Sequence, residues 1–160
     1  MPELELGQPY ELINFSKSWL DPIHDKCRST VIKSFRCPDA RLKQDDVKTS
    51  YIGIIGEKTI WKPRGEIVGA SHVRDGTSNT IMFVESDRHR IPSMSPNDLT
   101  FQQLKKNLKD PNYGLLSSPH TGGAIITLAD GSSRYVPNTI SDATLEALLT
   151  IDGGEKIKDF

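Results

Sequence analysis

Ala124-Ile125-Ile126-Thr127-Leu128-Ala129-Asp130-Gly131-Ser132-Ser133-Arg134-Tyr135-Val136 reads as two strands folded back on a tight turn. Both flanking runs are rich in residues that suit a pleated, half-buried surface. The dipeptide between them is a strong hairpin signal: a type I′ turn needs positive φ at both central residues, which Asp and Gly tolerate. Immediately downstream, Ser141 is placed to cap a helix running to Thr150, with Leu145, Leu148 and Leu149 as its apolar side and Gly153 as its stop.

Upstream, Thr80-Ile81-Met82-Phe83-Val84-Glu85 is a short apolar run preceded by the turn-prone Asp75-Gly76-Thr77-Ser78-Asn79, which marks a third strand. Thr49 to Ile55 predicts a fourth, ending at Gly56. Between them, Lys58 to Arg74 carries Trp61, Pro63 and Gly65 without a clean period and reads as loop with at most an edge strand. Asn97 to Asn107 predicts a short helix capped by Asn97 or Asp98, with Leu99, Phe101 and Leu104 inward. Nearer the start, Asp21-Pro22 looks like an N-cap with proline at the first helical position, and Ile23, Cys27, Val31 and Phe35 recur every four residues. A helix to Phe35 separates Cys27 from Cys37 by about 15 Å at about 1.5 Å per residue, beyond the roughly 7 Å a disulfide spans. Cys27 is then a small core residue, and His24 and His89, among charged neighbours, read as surface. The pattern predicts an α+β domain in which helices pack on an antiparallel sheet.

The chain has 160 residues, which suits a single domain over 1–160 with roughly two thirds of its surface buried. Twenty Lys and Arg face 21 Asp and Glu, a net charge of -1, which removes the basic footprint that nucleic-acid binding requires. Ile81 to Val84 is the longest apolar run, far short of the roughly 20 residues of a membrane span.

The chemistry-bearing residues fall into few sets. His120 and Asp130 invite a metal reading, but an intervening strand of about 3.3 Å per residue holds them apart; the plainer reading makes Asp130-Gly131 a turn and His120 a hydrogen-bonding residue where the strand begins. Glu85 ends one strand and His120 begins another, so in antiparallel neighbours carboxylate and imidazole meet and share a proton. Ser117, Ser118 and Ser132 lack the strand-to-helix elbow of an activated nucleophile, and the reading is non-enzymatic. Asp130, Asp142, Asp152 and Glu155 offer oxygen ligands for calcium, though without the spacing of a helix-loop-helix calcium loop. His72 and Asp75, three apart in a loop, are a weaker zinc pair. Asp75 and Asn79 belong to a segment that builds a rigid turn or, alternatively, a ligand pocket in which Tyr51 and Trp61 stack on a sugar or peptide.

Four motifs stand in order: Phe35-Arg36-Cys37-Pro38-Asp39; Asp75-Gly76-Thr77-Ser78-Asn79-Thr80-Ile81 leading to Glu85; His120, nine residues, Asp130-Gly131; and Leu145 to Thr150 followed by Gly153-Gly154-Glu155. Together they resemble the bacterial family named for a prepilin-type, processing-associated His-x9-Asp-Gly domain, over about Trp19 to Glu155. That resemblance implies a pseudopilin-like head as in type II secretion, natively exported to the periplasm or cell surface behind a cleavable leader and a long hydrophobic helix through which subunits assemble. No leader or hydrophobic helix precedes Tyr10, and the expectation is a soluble head without its anchor. A calcium site near the C-terminus and a structural or secretion-associated role are further implications, with a solute-binding module as the alternative.

Overall fold

The computed structural model describes residues 10–40, 43, 45–86, 88–105, 108, 110, 114–157 and 160. Its architecture is mixed α+β around an antiparallel sheet. The strands are β1 (Tyr51–Ile52), β2 (Ile54–Ile55), β3 (Ile81–Glu85), β4 (Leu99–Thr100), β5 (Gly123–Leu128) and β6 (Ser133–Pro137); the α-helices used below are α1 (Asp25–Arg28), α2 (Phe101–Lys105) and α3 (Asp142–Leu149). The main sheet has the order β1-β3-β5-β6, antiparallel throughout, while β2 and β4 form a separate parallel pair that the sequence did not signal.

One face of the sheet is closed by α3. Alternation along β5 turns Ala124, Ile126 and Leu128 inward, where they join Ile52, Val84, Val136 and the helix's Leu145, Leu148 and Leu149 in one buried cluster. Ser141 caps α3, its hydroxyl accepting from the Thr144 N–H at 3.0 Å. A smaller cluster of Cys27, Ile32 and Met94, with Trp19 and Phe35 against it, lies under the N-terminal segment.

Several expectations are corrected. The helix projected from Pro22 to Phe35 is instead a 3-10 turn (Pro22–His24), then α1, and, beyond a break, a second 3-10 turn (Lys33–Phe35). Asp21 caps the first turn as expected, accepting from Ile23 N–H. Ser29 and Thr30, however, turn their hydroxyls back onto the Lys26 carbonyl, and by Ile32 the backbone is extended. Ile23 is therefore exposed. His24 is buried rather than surface: it stacks on Trp19, its Nε2 accepts from Asn14 N–H at 3.0 Å, and its Nδ1 donates to the Ser18 carbonyl. His89 is half-buried beside the Gly114 carbonyl, and burial lowers its pKa.

The Asp-Gly hairpin is not type I′. Only Gly131 has positive φ, +85°, and the loop is Ala129-Asp130-Gly131, with Gly131 N–H bonded to the Leu128 carbonyl and Leu128 N–H to Ser132. Asp130 prefers to accept from Ser132, through both N–H and hydroxyl, which holds it out of the left-handed region. The helix after Asn97 starts later than expected, at a capping box: Thr100 Oγ1 accepts from Gln103 N–H while Gln103 Oε1 accepts from Thr100 N–H. Asn107, its expected end, lies outside the described residues. The strand expected over 49–55 breaks at Gly53, against which the Trp61 indole is packed.

Candidate functional site

The Glu85 end of β3 gathers a cluster of ligand-type side chains. Tyr51 pairs with Glu85 in the β1–β3 register, so Glu85 points to the face opposite α3. It is buried there because two loops converge on it. Ser50 fixes the first: its N–H donates to the Phe35 carbonyl at 2.8 Å, its hydroxyl accepts from Cys37 N–H at 2.9 Å, and its carbonyl accepts from Ser86 N–H at 2.7 Å. That stitch brings Cys37 against the end of β3. The second loop delivers Ser118, which donates to Glu85 Oε2 at 2.8 Å and accepts from His120 N–H at 3.2 Å.

The same loop then leads into β5. An added Cβ at Gly123 would stand 2.2 Å from the Val136 carbonyl oxygen, so only glycine lets the strand start there. Tyr135 spans the same place and donates to the Thr121 carbonyl at 3.0 Å. Held in this way, His120 presents Nε2 to Glu85 Oε2 at 3.3 Å and to Cys37 Sγ at 3.6 Å, and Nδ1 to Asp39 Oδ2 at 3.5 Å. Among the described residues, Cys37, Asp39 and His120 form the group of three whose donor atoms all lie within 4.8 Å of one another. Burial pushes the Cys37 thiol above its ordinary pKa, and hydrogen bonding to Glu85 with that carboxylate's charge pushes it further, opposite to what a thiolate nucleophile needs. No disulfide joins Cys27 and Cys37.

Beside the cluster, a cavity of about 510 Å³ runs along the sheet's open face, lined by Phe35, Tyr51, Phe83, Ile91 and Pro92 and carrying Asp98 and Ser93 as polar members. Burial raises the Asp98 pKa, partly offset by the Gly53 N–H that it accepts. Tyr51 joins the two places: burial first, then the charges of Glu85 and Cys37, raises its phenol pKa. Trp61 is otherwise engaged. Its indole N–H donates to the Met82 carbonyl and its ring packs on Phe83 at 5.1 Å between centroids.

The remaining expected residues lie elsewhere. Asp75 Oδ2 accepts from Gly153 N–H at 2.7 Å and Oδ1 from Gly154 N–H at 2.9 Å, with the Thr150 hydroxyl at 3.3 Å; Asn79 donates to the Asp75 carbonyl. Asp130 is on the hairpin loop, on the far side of β5 from His120, where Ala129 N–H and Asp130 N–H bond the Thr80 and Thr77 carbonyls. Asp152 pairs with Arg74 at 3.0 Å, and Asp142 opens α3. The four acidic residues considered for calcium therefore do not gather into a group among the described residues, and Asp75 is not turned toward His72. Sequence reasoning gave Cys37 and Asp39 no part in a site beyond their place in Phe35-Arg36-Cys37-Pro38-Asp39, and that motif was the signal available for both.

No family model, curated protein or solved structure matches this chain.

Proposed function

We propose that this chain is a non-enzymatic, pseudopilin-like head that works outside the cytoplasm in a structural or secretion-associated role, natively attached to or assembled at a membrane. The observation that carries the reading is where the Asp75 to Asn79 and Asp130-Gly131 motifs spend their polar groups. Asp75 and Asn79 bond main-chain atoms, and Asp130 closes a turn through Ser132, so these residues build the head and turn no reactive group toward a substrate. The thiol-imidazole pair at the other end has its thiol pKa raised. A balanced charge of -1 supports a protein or self-assembly partner over nucleic acid. Among the described residues no helix is long and apolar enough to cross a membrane.

The test is location. The full gene product, tagged at its C-terminus and expressed in a bacterium, is expected to be digested by protease added to spheroplasts while a cytoplasmic marker survives. Protection alongside the marker overturns the reading.

A second reading, an extracytoplasmic solute-binding module, is favoured by the cavity on the open sheet face. Its aromatic lining suits the face of a sugar ring or an apolar side chain, and the Ser93 hydroxyl beside it is buried with no hydrogen-bond partner among the described residues. Saturable binding of a glycan or peptide, weakened by Tyr51→Ala, would select this reading over the scaffold.

A further inference from the structure

We propose that Cys37, His120 and Glu85 hold one thiophilic divalent transition metal of the zinc class, with Asp39 as the residue that orients the imidazole. The inference stands on geometry independent of the secretion reading.

Zinc bonds sulfur at about 2.3 Å and imidazole nitrogen or carboxylate oxygen at about 2.0–2.2 Å, so a tetrahedral site separates its ligands by about 3.6 Å for sulfur and nitrogen and about 3.4 Å for nitrogen and oxygen. The edges that meet at His120 Nε2 are 3.6 Å to Cys37 Sγ and 3.3 Å to Glu85 Oε2. Both partners face the same ring nitrogen, leaving Nδ1 to Asp39 Oδ2 at 3.5 Å. That division of the two nitrogens is the usual carboxylate-imidazole-metal arrangement, in which the outer carboxylate sets tautomer and ring direction. The ligands are supported in turn: Ser118 donates to Glu85 Oε2, and Ser50 holds the Cys37 main chain.

Charge gives the second argument. Glu85 and Asp39 set two carboxylates about one imidazole, and Glu85 is buried. A divalent cation balances that charge, and a sulfur ligand with imidazole selects zinc or cobalt over magnesium or calcium. Access is open, since the His120 side chain is 33% exposed and that of Asp39 72% exposed. Three protein ligands leave a fourth position for water or for a donor from a partner molecule.

Cobalt(II) titrated into the reduced 160-residue chain is expected to give a thiolate-to-cobalt charge-transfer band saturating at one equivalent, displaced by zinc and unaffected by excess magnesium or calcium. Cys37→Ser should abolish the band and Cys27→Ser should keep it. Asp39→Asn, at an exposed position that leaves folding intact, should weaken zinc about 10- to 100-fold against a chromophoric chelator. No thiolate band in the unsubstituted chain, a band that follows Cys27, or unchanged zinc affinity in Asp39→Asn would each overturn the proposal; the first would leave His120 as an imidazole bridging two carboxylates. None of these outcomes bears on where the protein is located, so the two proposals fail separately.

Discussion

At the Ile81–Leu128 end of the central strand pair Asp75 and Asp130 accept from main-chain N–H groups and nearby hydroxyls, whereas at the Glu85 end the acidic side chains meet an imidazole and a thiol. Asp75 ties the segment after α3 to the turn before β3, and Asp130 closes the hairpin whose loop rests on that same turn. These two carboxylates accept from main-chain N–H groups, with the Thr150 and Ser132 hydroxyls beside them, and what they produce is a fixed backbone. Glu85 and Asp39 instead surround one imidazole and one thiol, donors that a protein rarely places together for the sake of a turn. The same residue type therefore serves construction where it meets N–H groups and chemistry where it meets ligand atoms, and the partner rather than the residue marks the difference.

The largest effect should come from setting the two ends against each other in one urea titration. Asp75→Ala removes two charge-assisted N–H bonds at a half-buried position and is expected to cost about 2 kcal/mol, while Asp39→Ala, on an exposed side chain, should stay within about 0.5 kcal/mol without metal. Equal costs would erase the distinction. A smaller loss, about 1 kcal/mol by thermal unfolding, is expected for Gly131→Ala: its surroundings are empty, so only the left-handed φ of +85° is penalised. A loss several times larger would mean that the hairpin loop carries contacts beyond its own turn.

The smallest effect sharpens the construction end by pH. Hydrogen bonds from Ser132, aided by the Arg134 charge, lower the Asp130 pKa from its ordinary 3.8. A carboxyl whose folded pKa is depressed contributes stability that is complete above the unfolded value and lost as pH falls through the folded one. Unfolding followed from pH 5 down to pH 2 should therefore show a shallower acid loss in Asp130→Asn than in the unsubstituted chain; parallel curves would mean that the Ser132 bonds do not discriminate the charged form.

Much of the frame was legible because its signals are local. The β5–β6 hairpin, the Ser141 cap and the apolar run of β3 each depend on residues within a few positions of one another. The errors were local too, where two local preferences competed. Ser29 and Thr30 bond back to the Lys26 carbonyl and end the helix that the four-residue period extends. Asp130 satisfies Ser132 in place of the left-handed conformation the Asp-Gly pair suggests. The pairing of Glu85 with His120 could be anticipated from strand ends alone; the addition of Cys37 and Asp39 could not, because their approach depends on Ser50, a residue with no motif of its own.

By itself the sequence determined the α+β class, the central antiparallel strands and the capped final helix, since periodicity, turn chemistry and capping act over a few residues. Only the tertiary structure decided that Cys37 lies at His120, that Glu85 is buried between them and that Asp75 serves Gly153 and Gly154. These contacts join positions up to 83 residues apart, and chain closure over such distances is set by the packing of the whole sheet, which no short window of sequence encodes.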